Sequence, residues 1–241
     1  NGQDVSQLLG SRSELTLGGS ATVPGWHAGL LLRPHCSLTL GAAVISRSDP
    51  RVSGDVKVRF GDDAPAPFEL SGTQSTGLLI PWTMMFGANW DVSRTVEIGA
   101  ELRYWFYSQL RSQHTDVKDL GLIESLDSPK DYSDSWQLSG GVRVHSLARL
   151  PRLEAMLGGH FDRSPAPDRT ISLDQPSFNH VALHGGLRYS LGERCRLGLT
   201  YARYWYLERR VEDSVTLPPS NFRASGSNNI VTVSLEATLG R

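Results

Sequence analysis

The residues whose types could support covalent chemistry fall in one short stretch, which contains His160, Asp162 and Ser164. A hydrolase uses such groups as a base, an orienting acid and a nucleophile. On a strand, however, His160 and Asp162 share a face, and Ser164 begins a proline-bounded loop, so the spacing does not aim the three groups at one another. The sequence contains neither G-x-S-x-G nor H-E-x-x-H. We therefore expect a protein that is not an enzyme.

Metal and nucleic-acid chemistry also lack a signature. The two cysteines, Cys36 and Cys195, are far apart, and neither lies in a C-x-x-C motif or has a histidine at metal-ligand spacing. Lys and Arg total 24 against 25 Asp and Glu, and the basic residues are spread along the chain. We expect unpaired thiols, no metal, no other cofactor and no nucleic-acid partner.

The elements that carry these residues are predicted to be β-strands. Apolar and polar residues alternate with period two: Ile98, Leu102 and Tyr104 share one face, and Glu97 and Arg103 share the other. The same division recurs in 136–145, 152–162, 180–189 and 231–239. The sequence therefore predicts an all-β fold.

Nine long strands are predicted, with kinks at Gly18-Gly19, Pro24-Gly25 and Asp49-Pro50, where Gly and Pro interrupt strand ladders. The predicted strands span 13–33, 36–60, 74–89, 94–110, 133–146, 151–163, 178–191, 194–211 and 225–240. A single-chain antiparallel barrel normally needs an even number of strands. Nine strands are therefore an awkward count for a barrel closed by this chain alone.

Alternation alone leaves two architectures open. In a soluble sandwich the apolar face packs on a second sheet, whereas in a transmembrane antiparallel β-barrel it faces lipid. The longest apolar runs are far shorter than the ~18 to 20 residues of a membrane-spanning helix. Short links alternate with long polar loops, and aromatic clusters at 104–107 and 201–206 suit an interfacial girdle, so we favour the barrel. The short links are 91–93, 146–149 and 192–194, and the long loops are 61–71, 112–131, 163–177 and 212–227.

The inward-facing charges of this barrel have both signs. Ionisable groups in a narrow lumen must be paired or hydrated, so we predict a cross-strand salt-bridge lattice that holds the barrel in shape. Its members are Glu97, Glu101, Arg103, Arg143, Arg152, Glu154, His184, Arg188 and Glu236.

One stretch carries a family resemblance. The residues Phe161, Asp162, Ser164, Pro165 and Pro167, followed by Arg169, resemble the F-D-x-S-P-x-P…R motif of FadL-type (OMPP1/TodX-like) outer-membrane transporters of long-chain fatty acids and other hydrophobic compounds. Residues 134–141 are similar to the family's D-x-Y/W-x-x-x-x-G strand, 184–189 to its s-x-G-x-x-Y strand, and 25–29 to its G-W-N-A-G strand. The resemblance covers about residues 13–240.

The resemblance implies a barrel of about fourteen strands around an N-terminal hatch. This chain, residues 1–241, would form a single barrel portion that supplies about nine strands, with a second polypeptide or a missing segment supplying the hatch and the other strands. The resemblance further implies a place in the bacterial outer membrane, contact with outer-membrane lipid, and passive uptake of hydrophobic small molecules such as long-chain fatty acids.

A lipid-like ligand needs an apolar groove and one polar anchor. We predict that Leu122, Ile123, Phe178 and Phe222, in or beside the long loops, contribute to the groove. Family members have a basic residue before the D-x-Y/W strand that is associated with the ligand carboxylate, which implies this role for Lys130. The alternative function is a structural or adhesive barrel whose extracellular loops bind a protein or surface partner.

Overall fold

A computed structural model describes residues 14–60, 69–121, 124–147, 150–171, 176–216 and 219–238. These residues form fourteen strands and two single-turn 3-10 helices, Tyr107–Gln109 and Asp168–Thr170, which confirms the predicted all-β class. The strands are β1 (Glu14–Leu17), β2 (His27–His35), β3 (Leu38–Ile45), β4 (Arg51–Arg59), β5 (Glu69–Gly77), β6 (Thr83–Asp91), β7 (Val96–Trp105), β8 (Ser112–Lys118), β9 (Ser125–Pro129), β10 (Ser135–Val144), β11 (Leu153–Asp162), β12 (His180–Ser190), β13 (Cys195–Val211) and β14 (Phe222–Ala237). None of the helices in these ranges has the length and apolar character needed to span a bilayer.

The larger of two sheets, here called the main sheet, joins nine strands within the described ranges in the order β14-β13-β12-β11-β10-β7-β6-β3-β2. Each neighbouring pair is antiparallel. Tight turns join β2 to β3, β6 to β7 and β12 to β13, and the last two fall at the predicted short links 91–93 and 192–194. Gly192 adopts φ 127° in the last of these turns, a conformation that a residue without Cβ accepts readily.

The second sheet has the order β1-β4-β5-β8-β9 and is also antiparallel. It has a conventional apolar core, formed by Val56, Val58, Phe60, Val117 and Leu120. A sheet that buries one apolar face in this way is suited to water on its other face.

His114 of β8 lies at an exposed position of the second sheet. Its Nδ1 is 2.6 Å from Asp127 Oδ1, and its Nε2 is 3.1 Å from Asp116 Oδ1. The hydrogen bonds to Asp127 and then Asp116 raise the pKa of His114 above its ordinary value, because both favour the protonated ring.

The predicted strand boundaries are wrong in the first half of the chain. Predicted strands 13–33 and 36–60 each divide into two at the predicted kinks, and 74–89 divides around Pro81, because proline has no N–H for the ladder. The predicted loop 112–131 contains β8 and β9. Their sequences, SQHTDVK and SLDSP, have too few apolar residues to show a buried face by alternation.

The main sheet exposes its apolar face. Leu138, Leu157 and Leu183 are 53%, 55% and 50% exposed, whereas the Glu97 and Glu154 side chains, which lie on the opposite face, are 17% and 18% exposed. A soluble monomer rarely presents so extended an apolar surface to water. Outward apolar and inward polar residues are the arrangement of a sheet surrounded by lipid.

Candidate functional site

The polar side of the main sheet, here called the inner face, carries a continuous row of aromatic and imidazole rings. Neighbouring centroids along this row lie 5.0–6.3 Å apart, within the range of favourable ring contacts. We call the row the ring ladder, and its members are Phe222, Phe178, Tyr206, His180, Tyr204, His160 and His184.

Strand register explains how the ladder forms. Ala182 on β12 is paired with His160 on one side and with Tyr204 on the other, and His180 and His184 lie two residues before and after it on the same face. Ala182 is 2% exposed, and its methyl group leaves room for the rings around it. Tyr204 therefore lies 5.6–5.7 Å from all three imidazoles.

At its His184 end, the ladder opens onto a groove of about 620 Å³ on the inner face. The lining of this groove includes His160 and His184. Glycines from five strands contribute much of the remaining wall, so few side chains fill the space. Gly141 and Gly158 are opposite each other, and a Cβ on Gly141 would lie 3.2 Å from the Gly158 Cα. The groove has the size of a small-molecule site.

Ion pairs cross the inner face beside the groove. Glu97 contacts both Arg143, at 3.5 Å, and His145, at 2.9 Å. Of the predicted lattice, the structure also pairs Arg103 with Glu101 at 2.8 Å, Arg188 with Glu154 at 3.6 Å, and Glu236 with Arg196 at 3.6 Å.

Two predicted members of the lattice have other surroundings. His184 donates to or accepts from His160 at 3.0 Å and belongs to the ring ladder. Arg152 lies exposed just before β11, and within the described residues its side chain forms no ion pair. The position of His184 follows from register, because Gly158 and Ala202 stand opposite it and leave it without a charged cross-strand neighbour.

Asp91, Glu97 and His145 also place ligand atoms within 4.8 Å of one another, a grouping that the sequence did not indicate. Asp91 ends β6, and His145 directly follows β10, so their spacing along the chain shows no motif. Because Glu97 already contacts Arg143 and His145, we interpret the group as part of the ion-pair network.

The resemblance motif forms the loop that follows β11. Asp162 accepts a hydrogen bond from Gln137 at 3.3 Å, and Phe161 packs on Trp136 with centroids 5.3 Å apart. The Pro165 carbonyl accepts from the Ser133 amide at 2.9 Å, and the Pro167 carbonyl accepts from the Ile171 amide at 3.1 Å. These motif residues therefore shape the loop.

Arg209 of β13 holds the same loop from the inside. Its guanidinium donates to Ser164 Oγ at 3.0 Å, to the Ser177 carbonyl at 2.6 Å, to Asp168 Oδ1 at 2.8 Å and to the Ala166 carbonyl. The side chain is only 12% exposed. One cation thus links four points of the loop. Arg169, the last residue of the motif, lies 3.7 Å from Asp213.

A β-bulge gives Arg209 this position. Tyr206 pairs with Gly226 and Arg209 pairs with Ala224, so β13 has one extra residue in this interval. The extra residue moves Arg209 onto the face of Tyr206, as bulges commonly redirect a side chain. Sequence alternation could not reveal this position, because a bulge breaks the period of two.

The predicted ligand residues are placed unequally. Phe178 and Phe222 lie together, with centroids 6.3 Å apart, whereas Leu122 and Ile123 lie outside the described residues. Lys130 follows β9, and its side chain is 1% exposed. Its amide donates to the Arg111 carbonyl at 2.9 Å.

Asp134, the first residue of the D-x-Y/W resemblance, organises the turn after β7. It accepts hydrogen bonds from Tyr104 Oη and from the Ser108 amide, both at 2.9 Å. Burial opposes ionisation, but the bonds from Ser108 and Tyr104 outweigh it and hold the pKa of Asp134 below its ordinary value.

An antiparallel sheet with an apolar outer face and a polar inner face is the arrangement of the transmembrane β-barrel class of proteins. Residues 8–239 match the family model of the outer membrane protein transport proteins (OMPP1/FadL/TodX), and the chain belongs to this family. It is therefore a protein of the bacterial outer membrane, as the sequence motifs predict.

Solved structures share the fold. A FadL homologue of Pseudomonas aeruginosa is 16% identical, with a TM-score of 0.68 over 88% of this chain and 51% of its own. The toluene transporter TodX of Pseudomonas putida is 15% identical, with a TM-score of 0.69 over 97% and 55%. The toluene transporter TbuX of Ralstonia pickettii is 16% identical, with a TM-score of 0.61 over 88% and 47%.

The chain thus spans about half the length of these solved relatives. No curated protein matches the sequence significantly.

Proposed function

We propose that this chain is a portion of an outer-membrane channel for passive uptake of hydrophobic compounds. The ring ladder is the observation that carries the proposal, because it forms an uninterrupted track of aromatic and imidazole rings from the loop residue Phe178 to the groove beside His184. A hydrophobic ligand can move along such a track by exchanging contact with one ring for contact with the next.

The complete channel needs more than this chain supplies. The main sheet has two open edges among the described residues, at β2 and β14, and unpaired edges are not stable in lipid. We propose that a further segment or a second polypeptide provides the remaining strands of a barrel of about fourteen, together with a hatch. The half coverage of the solved relatives supports this proposal.

Two substrate classes fit an apolar track. Long-chain fatty acids are our first candidate, with Lys130 proposed as the anchor of the carboxylate. Toluene-type hydrocarbons are the second, favoured by the aromatic composition of the ladder and by the likeness to two toluene transporters.

Transport is tested by uptake into liposomes that contain the full-length protein, with a labelled fatty acid and with toluene. We expect the double variant Phe178→Ala, Phe222→Ala to slow uptake severalfold. Phe86→Ala is the matched control, because Phe86 is 50% exposed on the outer face and should not affect flux. Uptake equal to that of empty vesicles would reject the channel and favour the adhesive alternative.

Lys130 distinguishes the two substrate classes. Lys130→Met should weaken fatty-acid binding about tenfold or more by removing a charge-assisted bond, while toluene uptake stays unchanged. Arg103→Ala, which removes an inner-face cation already paired with Glu101, should weaken fatty-acid binding less. An equal loss for both substrates would show that Lys130 has a structural role instead.

A further inference from the structure

Two histidines of the ring ladder face each other at a distance typical of metal ligands. His160 Nε2 and His180 Nε2 lie 3.2 Å apart. Two nitrogens that bind one tetrahedral metal at about 2.0–2.1 Å are separated by roughly 3.3 Å. The side chains therefore already have the spacing of two corners of a coordination sphere.

The contacts of the other ring nitrogens are compatible with the tautomers that ligation needs. His180 Nδ1 is 3.5 Å from the Phe178 carbonyl, which can only accept, so a neutral ring with its proton on Nδ1 can donate to it. His160 Nδ1 is 3.0 Å from His184 Nε2 and can donate to it in the same way. Histidine ligands commonly donate their second N–H to such an acceptor, which orients the ring and fixes the tautomer.

This arrangement allows the two lone pairs to converge on one point. With both protons on Nδ1, His160 Nε2 and His180 Nε2 are both acceptors, and a cation about 2.0–2.1 Å from each would lie beside the line that joins them; without a cation, a proton on His160 Nε2 lets the pair form a hydrogen bond at the same 3.2 Å. Asp162 is the cross-strand partner of His180 on the same face and adds negative charge beside the pair. His160 also lines the groove, through which water and an ion can reach it.

We propose that His160 and His180 bind a first-row transition-metal dication through their Nε2 atoms. His184 orients His160, and water completes the coordination sphere. Two imidazoles and water suit Cu²⁺, Ni²⁺ and Zn²⁺, and Cu²⁺ binds most tightly by the usual order of affinities. The proposal does not depend on the transport function, because it concerns only the cross-strand geometry of β11 and β12.

The test is calorimetric titration of Cu²⁺ into the full-length, chelator-stripped protein in detergent. We expect one site, weakened about tenfold or more by His160→Gln and by His180→Gln, and also weakened by His184→Gln through loss of the orienting bond. The matched control is His27→Gln on β2, which should bind Cu²⁺ as the wild type does. Equal affinity in the wild type and the His180→Gln variant overturns the proposal.

A second measurement on the unmodified protein does not depend on whether the variants fold. Pulsed electron paramagnetic resonance of the Cu²⁺-loaded protein counts the imidazoles bound to the metal, and we expect two. A spectrum with one imidazole or none overturns the proposal.

Discussion

Removal of the Arg209 guanidinium should release the loop that follows β11 while the main sheet remains folded. Arg209 donates to the carbonyls of Ser177 and Ala166 from a position that is 12% exposed. A hydrogen bond from a charged donor contributes about 1.5–3 kcal/mol, so Arg209→Ala should cost the loop about 3 kcal/mol from these two bonds alone. We use the low end of the range because water can enter the truncated site.

Amide hydrogen exchange measures this local loss. A decrease of about 3 kcal/mol in local opening free energy accelerates exchange roughly a hundredfold. The most informative amide is that of Ile171, which donates to the Pro167 carbonyl at 3.1 Å, because Ile171 is 0% exposed and exchanges only when the loop opens. Peptides from β14 should retain their exchange rates in the same experiment.

The adjacent arginine provides the control. Arg210 pairs with Glu212, and both side chains are about two-thirds exposed, at 66% and 69%. Exposed pairs contribute about 0–1 kcal/mol, so Arg210→Ala should change exchange at Ile171 by less than about fivefold. If Arg209→Ala exchanges no faster than Arg210→Ala, the view that Arg209 holds the loop is wrong.

Three further predictions concern other parts of the chain. Because the pKa of His114 is raised, its contribution to the stability of the second sheet is complete below the ordinary pKa of about 6.5 and is lost as the pH rises through the raised value. An NMR titration of the ring measures this pKa, and a value below 6.5 contradicts the prediction. Glu97→Gln should cost about 1–3 kcal/mol in urea unfolding, because Arg143 loses its charged acceptor; no change in the midpoint would show that the pair is neutral. Gly41→Leu should block the groove and reduce uptake of hydrophobic compounds in liposomes. Gly185→Leu is the control and should not reduce uptake, because its added Cβ also meets open space but points outward. Equal uptake in both variants would exclude the groove as the route.

The fold could be predicted best where each strand has one clearly apolar face. The structure places β10, β11 and β12 within about two residues of the predicted bounds, because in these strands apolar residues alternate with small, polar or charged ones throughout. In β8, by contrast, Val117 is the only strongly apolar residue. Its pairing with β5 and β9 comes from backbone hydrogen bonds and neighbouring strands, which the local sequence does not show.

The candidate site was less predictable, for a related reason. Phe178 and Phe222, both predicted as groove residues, lie together in the structure, but the position of Arg209 depends on a bulge, and the association of His160 with His184 depends on register across two strands. Tyr204 and Tyr206, predicted as part of an interfacial girdle, face the histidines on the inner side instead. Both lie inside β13, and only the pleat decides which side of the sheet each aromatic residue occupies.

The opposite exposure of the two sheets has a consequence for how this sequence can diverge. Lipid chains adapt to any apolar surface, so Leu138, Leu157 and Leu183 can exchange for other aliphatic residues without a matching change elsewhere. Val56 and Phe60, packed in the core of the second sheet, must change in step with their neighbours. We therefore expect the sequence of the main sheet to diverge while its fold persists, in keeping with a TM-score of 0.69 at 15% identity.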